Sequence, residues 1–175
     1  QELVLSADAT YLVTGGASGF GLMLAKWLAE KGARRLVLLS RSGYKHQGDY
    51  QIADTLKEQG VELYPMKLDI TDRKAVDGVV NYINQHLPPL KGVIHSAAVL
   101  NDATLMNTDT ERFMKVFRPK VLGAWNLHQA TEQVSLDFFL SLSSISSLFG
   151  LPGQSNYSSA NNFLDRLAQH RQSIG

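Results

Sequence analysis

Cysteine is absent from this sequence, which excludes both a disulfide framework and a thiolate metal site. The five histidines, His46, His86, His95, His128 and His170, form no HExxH-type pair, so no metal site is expected. No apolar run approaches the roughly 18 residues of a membrane span. The residues from Gln1 to Ala9 lack the basic start and apolar core of a secretory leader. Charge of one sign is missing too: 17 basic residues face 16 acidic ones, for a net charge of +1. That balance gives no reason to expect nucleic acid or a membrane as partner. The default expectation is a soluble, cytoplasmic protein.

What is present suits one globular domain: 175 residues, 44% apolar and 19% charged. Short β-rich runs alternate with longer helical patterns. Strands are expected at Thr10–Thr14, Arg34–Ser40, Val61–Leu68, Gly92–Ser96 and Leu136–Ser143. Helices are expected at Gly19–Lys31, Tyr50–Gln59, Thr71–His86 with Thr71 as N-cap, Thr110–Gln133 with a break at Pro119, and Gly153–Arg171. Arg41–Tyr50 reads as a loop. The alternation predicts an α/β fold, a Rossmann-like doubly wound parallel sheet of order 3-2-1-4-5. Ligands of such sheets sit at the carboxyl ends of the strands where the order reverses, here between the first and fourth.

The motifs fall at those ends. After the first strand comes Thr14-Gly15-Gly16-Ala17-Ser18-Gly19-Phe20-Gly21, a TGxxxGxG spacing. Glycines there allow a tight turn and close backbone approach to a pyrophosphate aimed at by a helix N-terminus. The second strand ends in Ser40-Arg41 where NAD enzymes place an acid; a guanidinium suits a 2′-phosphate, so NADPH is favoured. Arg41 fits equally as a surface loop residue. Asp69, before Ile70 at the end of the third strand, is placed either to meet the adenine edge or to cap a helix. His95-Ser96-Ala97-Ala98 ends the fourth strand, and its small residues would lie beside the nicotinamide ribose.

The fifth strand ends in Ser143-Ser144; Tyr157 follows thirteen residues after Ser144, with Asn161 four further on, on the same helical face. Singly, each has a structural explanation: Tyr157 as a half-buried helix tyrosine, Ser144 as a turn residue in a serine-rich stretch, Lys120 as a solvated helix lysine. Together they resemble the active site of short-chain dehydrogenases and reductases. The wider family has Tyr-x-x-x-Lys, where this chain has Asn161. Ketoreductase domains of modular and iterative polyketide synthases and of animal-type fatty acid synthases exchange the lysine and asparagine, taking the lysine from the preceding helix. Arg118-Pro119-Lys120-Val121-Leu122-Gly123-Ala124 resembles that segment, and Gly153-Gln154-Ser155-Asn156-Tyr157 resembles the GQxxY segment. The resemblance runs from about Ala9 to the C-terminus.

It implies NADPH-dependent reduction of a β-ketoacyl thioester carried by an acyl carrier protein on a phosphopantetheine arm, among neighbouring synthase domains. It implies Tyr157 as proton donor, Ser144 as hydrogen-bond donor to the carbonyl oxygen, Lys120 as the ammonium beside the phenol, and Asn161 as orienter of Lys120 or a relay water. Residues 1–175 would be the NADPH-binding catalytic portion, without the lid and last strands of the family, and weak or inactive alone. Ala97-Ala98 stands where Ala-Gly is commoner. Leu100-Asn101-Asp102 keeps one of two acids of a Leu-Asp-Asp motif, and Phe149 stands where L-alcohol producers have tryptophan, so a D-alcohol is favoured. Two alternatives are a stand-alone alcohol dehydrogenase of the same superfamily and a non-catalytic nucleotide-binding or scaffold module.

Overall fold

The structure, a computed structural model, describes residues 4–174. Residues 1–3 and 175, the ends of the span read above as one domain, lie outside it. Five parallel strands, β1 (Thr10–Thr14), β2 (Arg35–Ser40), β3 (Glu62–Lys67), β4 (Leu90–His95) and β5 (Phe138–Ser141), form one sheet of order β3-β2-β1-β4-β5. This is the expected doubly wound arrangement, with β1 at the point where the order reverses.

Alternate residues of the central strands face opposite layers. Tyr11, Val13, Leu36, Leu38 and Ile94 pack against α1 (Gly19–Glu30) and α2 (Gln47–Glu58) through Leu22, Ala25, Leu28 and Leu56. Leu12, Val37, Leu39 and Val93 pack on the other face against Val76, Val79 and Ile83 of α3 (Arg73–His86) and Leu127 of α4 (Thr110–Ala130). The last long helix, α6 (Ser155–Ile174), lies against α4 through Ala124, Leu164 and Leu167. Between β5 and α6 the chain forms a short helix α5 (Ser146–Phe149), and a 3₁₀ turn spans Leu105–Asn107. Neither was expected from the periodicity, because each is shorter than two turns.

At the β4–β5 seam a Cβ on Gly92 would lie 2.2 Å from Phe138 Cζ. Gly92 is the register partner of both Tyr11 and Phe138, whose rings stack over it with centroids 6.0 Å apart. The glycine leaves the space the two aromatic rings occupy.

Several expectations need correction. Thr71 is not the N-cap of α3. Its amide and hydroxyl both donate to Asp69 Oδ1, at 2.9 and 2.8 Å, and the cap is Asp72, which accepts from the amides of Lys74 and Ala75. Asp69 thus closes a turn and caps no helix. Helix α2 begins at Gln47, inside the expected loop, because His46 and Asp49 form a reciprocal capping box. No break occurs at Pro119: α4 is helical throughout. A proline removes only one main-chain hydrogen bond, and tertiary contacts described below hold the helix on both sides. Helix α6 starts at Ser155, since Gly153 has φ +78°, outside the helical region. The buried face of α1 is Leu22, Ala25, Leu28 and Ala29. Among the described residues no helix is long and apolar enough to cross a membrane, and no cluster of three or more metal-ligating side chains occurs.

Candidate active site

A cavity of about 440 Å³ opens at the carboxyl ends of β1 and β4. From the glycine loop it is lined by Thr14, Gly15, Ser18, Phe20 and Gly21, and from the end of β2 by Ser40 and Arg41. Asp69 and Ile70 line it beyond β3, and Ser96, Ala97 and Ala98 beyond β4. Gly16 and Gly19 do not line it. Gly16 faces the core, where a Cβ would lie 2.7 Å from the Val13 carbonyl oxygen. Gly19 opens α1 with φ +54°, a backbone shape that favours glycine. Three cations that the sequence reading missed also line the cavity: Lys45, Lys115 and Arg118. Lys115 and Arg118 lie one turn apart on α4, and the fold brings Lys45, distant in sequence, to the same wall.

At Gly15 and Gly21 the loop leaves no room for a side chain. A Cβ on Gly15 would stand 3.2 Å from the backbone of Ser96, and one on Gly21 2.2 Å from the Gly15 carbonyl oxygen. Ser18, the N-cap of α1, gives no side-chain cap, and the first turn holds no acid. Four cations on the wall and a close-packed glycine loop fit a phosphate-bearing dinucleotide, although the Asp49 carboxylate already accepts the Gly19 amide at the start of α1. Asp69 is the acid on that wall, its carboxyl held below the usual range first by the Thr71 amide, with Thr71's hydroxyl and Arg41 adding to the effect. Gly21→Ala forces backbone apart at the loop, a distortion of about 1–3 kcal/mol. The expected result is a roughly 10–100-fold weaker NADPH affinity in a fluorescence titration.

The group of residues expected to supply the proton lies beside this cavity, which reaches Pro119. Lys120, only 3% exposed, donates from Nζ to the Leu142 carbonyl and to Asn161 Oδ1, each at 2.7 Å. The same Nζ stands 5.0 Å from the centroid of the Tyr157 ring. Burial pushes the Lys120 ammonium down to about 8, opposed by Asp165. Because an ammonium only donates, Asn161 presents its oxygen to Lys120. Its buried Nδ2, like Ser146 Oγ and Ser158 Oγ, has no hydrogen-bond partner. Ser144, half-buried on the turn into α5, accepts the Ser146 amide at 3.2 Å, which leaves its own hydrogen free to donate. Lys120, Asn161 and Tyr157 are therefore brought together from α4 and α6, and Ser144 lies on the turn after β5.

Two loops are tied together next to Tyr157. Gln154 Nε2 donates to Asp102 at 2.8 Å, the Ala103 amide to the Gly153 carbonyl at 2.9 Å, and Asn156 Nδ2 to the Asn101 carbonyl at 3.1 Å. The buried Asn156 also accepts the Tyr157 amide at 2.7 Å, so its side chain links the loop after β4 to the start of α6. Spacing gave no signal for Asn156.

His95 departs from its expected place beside the cofactor. It is 1% exposed, does not line the cavity, and is held near pKa 4 instead of its usual 6.5 by burial. A folded-state value below the unfolded one stabilises the fold above pH 6.5, and this is lost as pH falls toward about 4. The contribution is about 3 kcal/mol. Urea unfolding across that window should show wild type losing stability faster than His95→Gln, whose amide does not titrate.

The comparisons with known proteins agree with this geometry. The KR domain family model matches residues 9–175. The chain is 44% identical over 170 residues, 97% of its length, to a phenolphthiocerol synthesis polyketide synthase of Mycobacterium marinum. It is 41% identical to the highly reducing polyketide synthase Preu1 of Preussia isomera, in a match that covers 100% of this chain. It spans 8% of each of these relatives. Among solved structures, an N-terminal ketoreductase from the macrolactin assembly line is similar over 98% of this chain and 35% of its own, with a TM-score of 0.90 and 34% identity. A ketoreductase domain from the bacillaene assembly line is similar over 97% of this chain and 40% of its own, with a TM-score of 0.91 and 32% identity. The sheet order accords with these matches, and the chain belongs to the KR domain family.

Proposed function

We propose that this chain is the NADPH-binding catalytic portion of a ketoreductase within a polyketide or fatty acid synthase. It reduces a β-ketoacyl thioester presented by an acyl carrier protein to the β-hydroxyacyl thioester. The observation that carries this reading is the buried Lys120 ammonium, bonded to Asn161 and standing 5.0 Å from the Tyr157 ring. The proposed compartment is the cytoplasm, where a reduced nicotinamide pool is maintained. The proposed product is the D-alcohol.

Thr14, Gly15, Gly16, Ser18, Gly19, Phe20 and Gly21 would hold the pyrophosphate, directly or by shaping the loop. Ser40 and Arg41 would meet the 2′-phosphate, Asp69 and Ile70 the adenine, and Ser96, Ala97 and Ala98 the nicotinamide ribose. NADPH bound there supplies the hydride that reaches the keto carbon. Tyr157 donates its phenolic proton to the oxygen as charge develops on it. Ser144 donates a hydrogen bond to the same oxygen. Lys120 stabilises the phenolate left behind, and Asn161 holds Lys120 in place.

The test uses the purified parent synthase and a β-ketoacyl thioester mimic, with NADPH consumption followed by absorbance. The thioester should be reduced with NADPH in clear preference to NADH, and a free ketone should be a poor substrate. Equal turnover of free ketones would favour a stand-alone alcohol dehydrogenase, and cofactor binding with no reduction of any substrate would favour a scaffold module.

A further inference from the structure

Both ring nitrogens of His95 are engaged. Nδ1 lies 2.8 Å from Thr14 Oγ1, and Nε2 lies 3.2 Å from the carbonyl oxygen of Lys120. Thr14 fixes which nitrogen carries hydrogen. Its oxygen accepts the amides of Ser96, at 3.1 Å, and Ala97, at 3.2 Å, which fills both lone pairs. Its hydrogen therefore goes to His95 Nδ1, and Nε2–H donates to the Lys120 carbonyl.

That carbonyl belongs to the residue whose ammonium enters the acid centre. It follows Pro119, whose carbonyl is a second backbone acceptor for the His95 ring. Three residues on, Gly123 lets α4 settle close to the sheet: a Cβ there would stand 2.8 Å from Ile70 Cγ2 and 3.2 Å from His95 Cε1. The main chain of Lys120 is thus held from below by His95, while its Nζ is held by Leu142 and Asn161.

We propose that His95 is a positioning residue: through Nε2–H it anchors the backbone of Lys120 and so sets where the ammonium stands between Asn161 and Tyr157. The proposal rests on the reading of Lys120 and Tyr157 as the acid centre. His95 does not line the cavity and acts through Lys120.

Two amides of graded length test this in the intact parent protein. In His95→Gln the side-chain amide nitrogen reaches the place of Nε2 and keeps the donor to Lys120. In His95→Asn the amide oxygen replaces Nδ1, keeping the Thr14 contact and losing the Lys120 one. The Gln variant should retain kcat within about threefold, and the Asn variant should fall about tenfold or more, with thioester KM and NADPH affinity within about threefold in both. Gly123→Ala, which lifts the helix while leaving His95 intact, should reproduce the kcat loss.

A readout free of catalysis is the titration of the Lys120 side chain, followed by ¹⁵N-lysine NMR. The charged and titratable groups around that ammonium are Tyr157, Asp165 and His95, the last held neutral down to about 4 by burial, with Asn161 and the Leu142 carbonyl as its acceptors. It should stay near the wild-type value of about 8 in His95→Gln and rise in His95→Asn and Gly123→Ala, as Nζ gains water. If Asn performs as well as Gln, if the loss falls on NADPH affinity instead of kcat, or if Lys120 titrates alike in all the variants, the proposal is overturned. Should wild type reduce no thioester while the NMR pattern holds, the functional reading fails and the positioning role stands.

Discussion

Tyr157→Phe is expected to lower kcat about a thousandfold and leave NADPH affinity within about threefold. The substitution isolates one atom. The ring that faces the Lys120 ammonium stays, and so does the amide that donates to Asn156 at 2.7 Å. Only the hydroxyl goes, and with it the proton that the proposed reaction delivers to the substrate oxygen. Single-turnover kinetics with the thioester mimic, alongside a fluorescence titration of NADPH, separate the two effects. Wild-type turnover in the variant would mean that another group supplies the proton.

The second large effect belongs to Lys120→Met. Methionine fills a comparable volume and brings no charge, so the phenolate loses its counter-charge and two acceptors, Leu142 O and Asn161 Oδ1, lose their donor. A loss of about 100–1,000-fold in kcat is expected. The pH dependence gives a sharper signature. Lys120 in the fold gives up its proton near 8, where a free lysine does so near 10.5. Wild-type activity should therefore fall as pH rises through about 8. Stability should move the other way. Between about 8 and 10.5 the unfolded chain holds the proton that the folded chain has lost, so stability rises with pH across that window. The rise amounts to about 3 kcal/mol relative to Lys120→Met, in which it vanishes. Paired kcat and urea-unfolding profiles check both limbs; a parallel rise or fall of the two would contradict the assignment.

These predictions lean on features that were unequally visible in the sequence. The sheet order was legible because buried parallel strands are short apolar runs and the helices between them carry a four-residue period. The glycine loop was legible because its constraint is local: Gly15 and Gly21 touch backbone a few residues away in the chain or at the next strand end. Lys120 and Asn161 lie far apart in sequence, and no periodicity relates them; the likeness to a known family singled them out. Local capping was misread where two polar residues compete. Thr71 and Asp72 both look like caps, and the turn made by Asp69 decides between them by occupying Thr71. His95 was misread because a strand end offers two faces, and the sequence says nothing about which one its ring takes. The Asp102–Gln154 tie and the role of Asn156 depend on two loops meeting in space, which spacing along a single chain does not encode.

The contact between Gly92 and Phe138 has a consequence for anyone exchanging pieces between synthases. The two positions behave as one character: a glycine on β4 is compatible with a phenylalanine on β5, and each is costly without the other. A graft whose junction falls between residues 92 and 138 separates them, and a donor with a side chain at the first position would collide with the ring at the second. Junctions placed before β4 or after β5 keep the pair together, and recombinants built that way should express as folded protein where those cut between the strands do not.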